Sequence, residues 1–259
     1  MRNISLFIAA FGTLLFGTTA CSQAQRVVGS QNYTTKNIQV GAFNSLKLLG
    51  SPDIIYKQTK GKPTIQIYGS DNIIELVETK VENNTLLVKF KNNTNIINRG
   101  KLEVRVSGPS LNQISIQGSG DIFLTNGIKN NESVQLSIQG SGDIKGEGIL
   151  CNRVSISISG SGDIELDNVK SDYAAMNISG SGDATLSGTC KEADFSISGS
   201  GDINAIKLIA EKVSARVSGS GDISCYATAF LKGGVSGSGE VSYKGNPQIN
   251  FSKKGLHKW

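Results

Sequence analysis

The 259-residue sequence predicts an all-β fold, a parallel, right-handed β-helix-like solenoid with coils of about 20 residues. The first observation is a four-residue word, Gly-Ser-Gly-Asp, that recurs seven times at steps of 22, 20, 20, 19, 20 and 18 residues, its last copy ending in Glu240. The second observation is that apolar and polar residues alternate on both sides of every word. A fixed period of this length is typical of stacked, equivalent units.

Each coil is predicted to contain two strands with one buried face. The alternation places an aliphatic row two positions before the first glycine of each word and an apolar row four positions after it. The first row is Ile116, Ile138, Ile158, Ile178, Ile197, Val217 and Val235, and the second is Ile122, Ile144, Ile164, Ala184, Ile203, Ile223 and Val241. Because these rows recur once per coil, each strand should pair in parallel with its counterpart one coil away. A variable, polar stretch is predicted to close each coil.

The glycines of the word are predicted to turn the corner between the two strands. A corner of this kind needs positive φ or a close backbone approach, and a Cβ atom would clash there. The corner glycines are Gly118, Gly120, Gly140, Gly142, Gly160, Gly162, Gly180, Gly182, Gly199, Gly201, Gly219, Gly221, Gly237 and Gly239. Their predicted role is structural.

The solenoid domain is predicted to span residues 37–247. Its first part carries a degraded word, Gly50-Ser51-Pro52-Asp53, and further strands are expected over 64–68, 85–90 and 102–107. Residues 71–77 fit either a helical turn or a strand. These irregular coils should cap the stack, since an open sheet edge would recruit another chain. Residues 248–259 are predicted to be a frayed C-terminal tail that contains the lone His257.

The N-terminus predicts export. Residues 1–20 have the basic start, short apolar run and small residues of a signal peptide, and residues 21–36 are a predicted linker. Cys21 follows Thr18-Thr19-Ala20, and this segment resembles the lipobox of bacterial lipoproteins, so Cys21 is a predicted lipidation site. The lipid would anchor the protein in the outer membrane, and no other link to a membrane is expected. Cleavage after Ala24 is the alternative, which would give a secreted or periplasmic chain.

The other cysteines are predicted to be structural. Cys151 and Cys190 hold the same position in coils separated by one intervening coil. At about 4.8 Å per coil they lie farther apart than the roughly 7 Å that a disulfide tolerates between Cα atoms. Cys225 falls in an inward row and is expected to be a small buried residue.

Several segments together resemble the putative auto-transporter adhesin, head GIN domain family. They are the run from Leu102 to Val106 with the first word behind it, the strand Phe43-Asn44-Ser45-Leu46, and the closing segment from Gly237 to Pro247. The resemblance covers roughly residues 37 to 256. It implies an exported all-β solenoid with an adhesive or binding role and supplies no catalytic residues.

The acidic residues of the words share one position and should form a ladder of carboxylates about 4.8 Å apart. The ladder comprises Asp121, Asp143, Asp163, Asp183, Asp202, Asp222 and Glu240. Three roles stay open, namely capping of backbone N–H groups, cation binding and contact with a partner. Capping is favoured, because an aspartate that follows a glycine-rich turn can accept hydrogen bonds from nearby backbone N–H groups.

The strand before each word also carries an outward set of small polar residues. Its members are Ser115, Ser137, Ser157, Asn177 and Ser196, with Gln117, Gln139, Ser159, Ser179, Ser198 and Ser218 beside them. We call this surface the polar face. Solubility explains it, and so does docking of an envelope glycan or protein.

Composition and motifs favour a noncatalytic adhesin-like, binding or scaffold protein of the cell envelope. The formal charge of +5 is spread along the chain, so nucleic-acid binding is not expected. With one histidine, neither a serine triad nor a zinc site is expected, and no metal or other cofactor is predicted. The alternative is a carbohydrate-active lyase or hydrolase on a β-helix, which would need clustered carboxylates in a groove. The oligomeric state is left open.

Overall fold

The computed structural model describes residues 25–252 and 254–259. The predicted signal peptide and Cys21 lie outside these residues. The repeat region consists of β10 (Gln113–Gly118), β11 (Ile122–Leu124), β12 (Ile128–Lys129), β13 (Ser133–Gly140), β14 (Ile144–Glu147), β15 (Ile149–Leu150), β16 (Arg153–Gly160), β17 (Ile164–Gly180), β18 (Ala184–Ile197), β19 (Ile203–Gly219), β20 (Ile223–Gly237) and β21 (Val241–Lys244). It is preceded by a regular coil formed by β3 (Ser45–Gly50) and β4 (Asp53–Gln58).

The strands that precede the words form a first parallel sheet. β3, β10, β13 and β16 pair in this order, and the second halves of β17, β18, β19 and β20 continue the sheet. The register joins equivalent residues of successive coils, for example Ile116 with Ile138 and Ile158 with Ile178. The predicted parallel β-solenoid is confirmed, with about 7 turns of about 20 residues.

The strands that follow the words form a second parallel sheet. β4, β11 and β14 are followed by the first halves of β17 to β20 and then by β21. The inward rows of the two sheets pack against each other, and Ile116, Ile138, Ile122 and Ile144 are fully buried. Burial of one such side chain stabilises the fold by about 1.5–3 kcal/mol. Because the inward rows recur in successive coils, the core is a continuous column along the stack.

The segment that closes each coil contributes a buried row of its own. The short strands β12 and β15 bring Ile128 against Ile149, and both are fully buried. Val169 of β17 is also fully buried, after a shift in register between Leu166 and Val169. The closing stretch was predicted to be polar throughout. Its inward aliphatic residues were missed because they do not belong to an alternating run of apolar and polar residues.

The N-terminal end is covered by a cap in which parallel and antiparallel strand pairs are mixed. This cap contains β1 (Gln25–Val28), β2 (Tyr33–Gln39), β5 (Thr64–Ser70), α1 (Asp71–Ile74), β6 (Val77–Glu82), β7 (Thr85–Phe90), β8 (Thr94–Ile97) and β9 (Glu103–Gly108). β5 pairs antiparallel with both β2 and β9, and β6 pairs antiparallel with β7. The cap is therefore built from antiparallel pairs as well as from the irregular coils that were predicted, and residues 71–74 form the helical turn.

The chain doubles back to build this cap. β3 and β4 pair with β10 and β11 on one side and with β7 and β9 on the other. The first regular coil thus lies inside the stack, and the segment that follows it in sequence lies farther out. The chain then returns to start the repeat region.

The C-terminal end continues the stack where a frayed tail was predicted. β22 (Gln248–Phe251) pairs in parallel with β20, and β23 (Leu256–Lys258) pairs in parallel with β21. The backbone hydrogen bonds of these two strands hold residues that the sequence analysis assigned to solvent. Throughout the described part of the chain, no helix has the length and apolar character needed to cross a bilayer.

Candidate functional site

The structure places the word glycines at the corner between the two sheets. A Cβ atom built on any of these glycines would lie under 3.0 Å from backbone of the preceding coil. Gly160 also has a φ of 143°, in a region that favours glycine, whereas Gly162 has no such φ and is restricted by the close approach alone. The glycines therefore allow adjacent coils to touch at the corner.

Backbone hydrogen bonds join each corner to the next. The carbonyl oxygen of Gly140 accepts from the N–H of Ser161 at 2.9 Å and from the N–H of Gly162 at 3.2 Å. The same pair of bonds links Gly118 to the following word, at 2.9 and 3.2 Å. Successive words thus form a continuous hydrogen-bonded column.

The ladder carboxylates are part of this column. The Oδ1 atom of each aspartate accepts a hydrogen bond from the backbone N–H of the next ladder residue, one coil farther on. The donors, with their distances, are Asp143 (2.8 Å), Asp163 (2.9 Å), Asp183 (2.8 Å), Asp202 (2.8 Å), Asp222 (2.7 Å) and Glu240 (2.8 Å). The N–H groups that the carboxylates cap lie in the neighbouring coil and not in the turn that each aspartate follows.

The ladder begins one coil earlier than the first perfect word. Asp53 of the degraded word accepts from the N–H of Asp121 at 3.1 Å. Burial raises the pKa of the Asp53 carboxyl, the hydrogen bond from Asp121 opposes this, and the nearby carboxylates of Asp121 and Glu103 add to the rise. Asp53 is thus a member of the ladder in a less solvated setting.

The ladder does not gather its carboxylates into a chelating cluster. Within the described residues, no group of three or more His, Cys, Asp or Glu side chains is placed to hold a metal ion. One oxygen of each aspartate faces the next coil, and Lys145 lies 3.4 Å from Asp143. That lysine contacts the second oxygen of Asp143, and His257 likewise contacts the carboxylate of Glu240.

The polar face forms the outer surface of the first sheet. Its residues lie side by side across the coils, as in the pairs Ser115 with Ser137 and Ser157 with Asn177. The Gln117 side chain donates to Gln139 at 2.8 Å. Toward the C-terminal end, however, the residue that follows Ser196 in this row is Arg216 in the next coil and Gly234 in the coil after that.

A groove of about 800 Å³ opens where the polar face is interrupted. It crosses β18, β19, β20 and β22 at the C-terminal end of the stack. Its lining consists of Ser196, Ile197, Ser198, Ser214, Arg216, Val217, Ser218, Lys232, Gly233, Gly234, Val235, Ser236, Asn250 and Ser252. This groove was not predicted from the sequence, because it depends on the lateral neighbours of four strands. The break of the serine row at Arg216 and Gly234 is the signal that could have indicated it.

The three cysteines of the described residues and the histidine are not part of the groove lining. Cys151, Cys190 and Cys225 are free and buried, and burial raises the pKa of the Cys225 thiol to about 12. His257 is on β23, with Nε2 3.4 Å from a carboxylate oxygen of Glu240. The groove lining contains two cations and several hydroxyls, and none of its residues is a carboxylate.

Comparisons with known proteins agree with the fold. Residues 42–247 match the family described as putative auto-transporter adhesin, head GIN domain. A solved structure described as a putative lipid binding protein from Parabacteroides distasonis is 28% identical with a TM-score of 0.84, covering 91% of this chain and 100% of that one. A putative adhesin from Bacteroides fragilis is 30% identical with a TM-score of 0.68, covering 90% and 98%.

A putative adhesin from Parabacteroides merdae shares the fold, at 24% identity and a TM-score of 0.84, over 91% of this chain and 100% of that one. No curated protein matches the chain at a significant level. The descriptions of the family and of these structures point to a noncatalytic protein and suggest an exported, cell-surface location.

Proposed function

Because the chain belongs to the putative auto-transporter adhesin, head GIN domain family, we propose that it is a noncatalytic, adhesin-like binding module of the cell envelope. The observation that carries the proposal is the polar face, which presents aligned hydroxyl and amide groups over successive coils. A regular parallel sheet backed by a buried core is a rigid surface, and rigid elements hold binding groups more accurately than loops do. The expected ligand is an envelope glycan or protein that spans several coils.

The same proposal includes an anchor at Cys21 in the outer membrane. It is supported by the apolar run and small residues before Cys21, which fit a signal peptide followed by lipidation. Mass spectrometry of the mature N-terminus tests this part. We expect a lipid-modified chain that starts at Cys21, and an unmodified chain that starts at Gln25 would contradict it.

A binding screen with the mature chain tests the function. The probes are envelope glycans, envelope protein fractions and lipid vesicles, the last because one similar structure is described as a putative lipid binding protein. The test variant is the pair Ser157→Glu and Ser159→Glu, both exposed on the polar face. The control is the pair Glu165→Gln and Asn204→Asp, exposed on the second sheet.

We expect the polar-face pair to weaken binding by about tenfold or more, because each added carboxylate must be desolvated against the ligand. The control pair should bind like the unmodified chain. Equal loss in both pairs would contradict the placement of the ligand on the polar face. Failure of every probe to bind would contradict a binding function and leave a purely structural role.

A further inference from the structure

Two adjacent glycines line the groove, and the backbone requires glycine at only one of them. Gly233 has a φ of 146°, and a Cβ built on it would lie under 3.0 Å from the Ala215 carbonyl oxygen, so the backbone requires glycine there. Gly234 has no φ in the region that favours glycine, and the nearest atom to its Cβ position would be the Ser252 Oγ at 3.5 Å. The fold would therefore accept a side chain at residue 234. Its absence keeps the groove open.

A buried hydroxyl with no partner lies in the groove wall. Ser214 is 5% exposed and lines the groove, and its Oγ forms no hydrogen bond. It stands between Asp194 and Lys232 in the outward row of the first sheet. A buried hydroxyl without a partner destabilises a fold, so a ligand that bonded to it would recover that loss.

The groove lining carries two cations, Arg216 and Lys232, and the ion pair that Arg216 forms is easily exchanged. Arg216 donates to Asp194 at 2.9 Å, and their side chains are 57% and 37% exposed. Exposed pairs of this kind contribute little to stability, so Arg216 can exchange Asp194 for a carboxylate of a ligand at low cost. The guanidinium fork matches a carboxylate in two hydrogen bonds, and Lys232 supplies a second cation.

We propose that this groove binds a carboxylate-bearing polysaccharide, with Arg216 and Lys232 contacting the carboxylates and Ser214 a hydroxyl group of the sugar. The inference rests on the proposed binding function and narrows its ligand. Serine hydroxyls recur across the groove at the coil spacing of about 4.8 Å, close to the length of one sugar residue in a chain. The two cations and the repeated hydroxyls of the lining fit a polymer that carries both carboxylates and hydroxyl groups.

Calorimetric titration of the mature chain with polygalacturonate tests the inference, with neutral dextran and poly-glutamate as comparison polymers. We expect binding of polygalacturonate only. The double variant Arg216→Gln and Lys232→Gln should lose about tenfold or more in affinity, since hydrogen bonds to charged groups are the strong ones. Gly234→Gln should weaken binding similarly by filling the groove. Lys207→Gln, which removes an exposed cation outside the groove, is the matched control and should bind normally.

Ser214→Ala separates a ligand contact from a structural role. We expect this variant to bind polygalacturonate more weakly while its melting temperature is unchanged or higher, because the lost hydroxyl has no partner in the free protein. A lower melting temperature with unchanged affinity would contradict the assignment of Ser214.

Three outcomes would overturn the inference, namely no binding of polygalacturonate, equal binding of dextran or poly-glutamate, and equal loss in Lys207→Gln. If the polar-face variants abolish binding of another envelope probe while the groove variants do not, the proposed function stands and this inference fails. If no probe of any kind binds, both fail.

Discussion

Gly160 shows how a single residue sets the distance between coils. The Gly160 carbonyl oxygen and the N–H groups of the residues that follow Gly160 bond to the adjacent words. A Cβ atom in place of the Gly160 Cα hydrogen would clash with the Gly140 backbone. Any larger group at this position would separate two coils, and the hydrogen bonds and apolar contacts of both sheets would weaken together. Many interactions therefore depend on a glycine at this position.

Gly160→Ala should destabilise the protein by at least about 2 kcal/mol. The substitution adds a Cβ in an unfavourable backbone conformation and against the Gly140 carbonyl. Denaturant unfolding followed by circular dichroism measures the change. Ser161→Ala, at the exposed residue of the same word, is the control and should stay within about 0.5 kcal/mol of the unmodified chain. Similar values for the two variants would show that the corner tolerates a wider spacing.

Asp163 offers a test of the carboxylate ladder. Asp163→Ala removes the acceptor for the Asp183 N–H, bonded at 2.8 Å, and should cost about 1 kcal/mol, whereas Asp163→Asn keeps an acceptor oxygen and should cost less. Unfolding measurements with and without calcium distinguish this role from cation binding. We expect no effect of micromolar calcium on the melting temperature. A calcium-dependent rise that both variants abolish would favour the cation role.

At the scale of elements, the two strands of each coil could be predicted because the same alternation is repeated seven times. Ile116 and Ile138 hold equivalent positions, and their burial follows from the pattern alone. The direction of the cap strands could not be predicted in this way. Alternation is the same in parallel and antiparallel pairs, and nothing in the order of residues indicates that β5 lies between β2 and β9.

The groove and the last strands escaped prediction for a related reason. β22 is a four-residue segment, Gln248–Phe251, without a word before it, so its place in the stack depends on its pairing with β20. The groove likewise results from the register that sets Gly234 beside Arg216. Both features belong to contacts between coils, which a periodic sequence specifies only where the period is intact.

Truncation after Pro247 tests whether β22 and β23 stabilise the stack. Removal of these strands exposes the edges of β20 and β21 and the side chain contacts of Phe251, so the melting temperature should fall by roughly 3 °C or more. Size-exclusion chromatography should also show self-association through the new edges. Removal of Trp259 alone, which is 74% exposed, is the control. An unchanged melting temperature in the longer truncation would restore the interpretation of a frayed tail.

At the scale of the whole molecule, the stack behaves as a series of equivalent units. β16 and β18 each pair with β17 through equivalent residues, so a chain without the intervening coil can join them directly. Stability in such proteins depends mainly on the units and on their nearest neighbours. A change in the number of coils should therefore leave the fold intact.

Deletion of residues 160–179 removes one coil and should leave a folded protein. We expect a β-type circular dichroism spectrum and a cooperative thermal transition, at a somewhat lower temperature because less apolar surface is buried. Deletion of residues 160–169 is the control, since it puts Lys170 and Asp172 at the corner positions of Gly160 and Gly162, where a Cβ atom has no room. That variant should not fold. Two unfolded variants would contradict the equivalence of the coils.

The doubling back of the chain at the cap has a consequence for how the protein stands on a membrane. β1 begins at Gln25 and pairs with β8 of the cap, four residues from Cys21, so a lipid at Cys21 would hold the capped end against the bilayer. Within the first sheet, β20 of the groove lies seven strand spacings from β3, the first regular coil next to the cap, or about 34 Å at about 4.8 Å each. An anchored molecule of this shape would be a spacer that carries its binding groove at the tip, with its reach set by the number of coils.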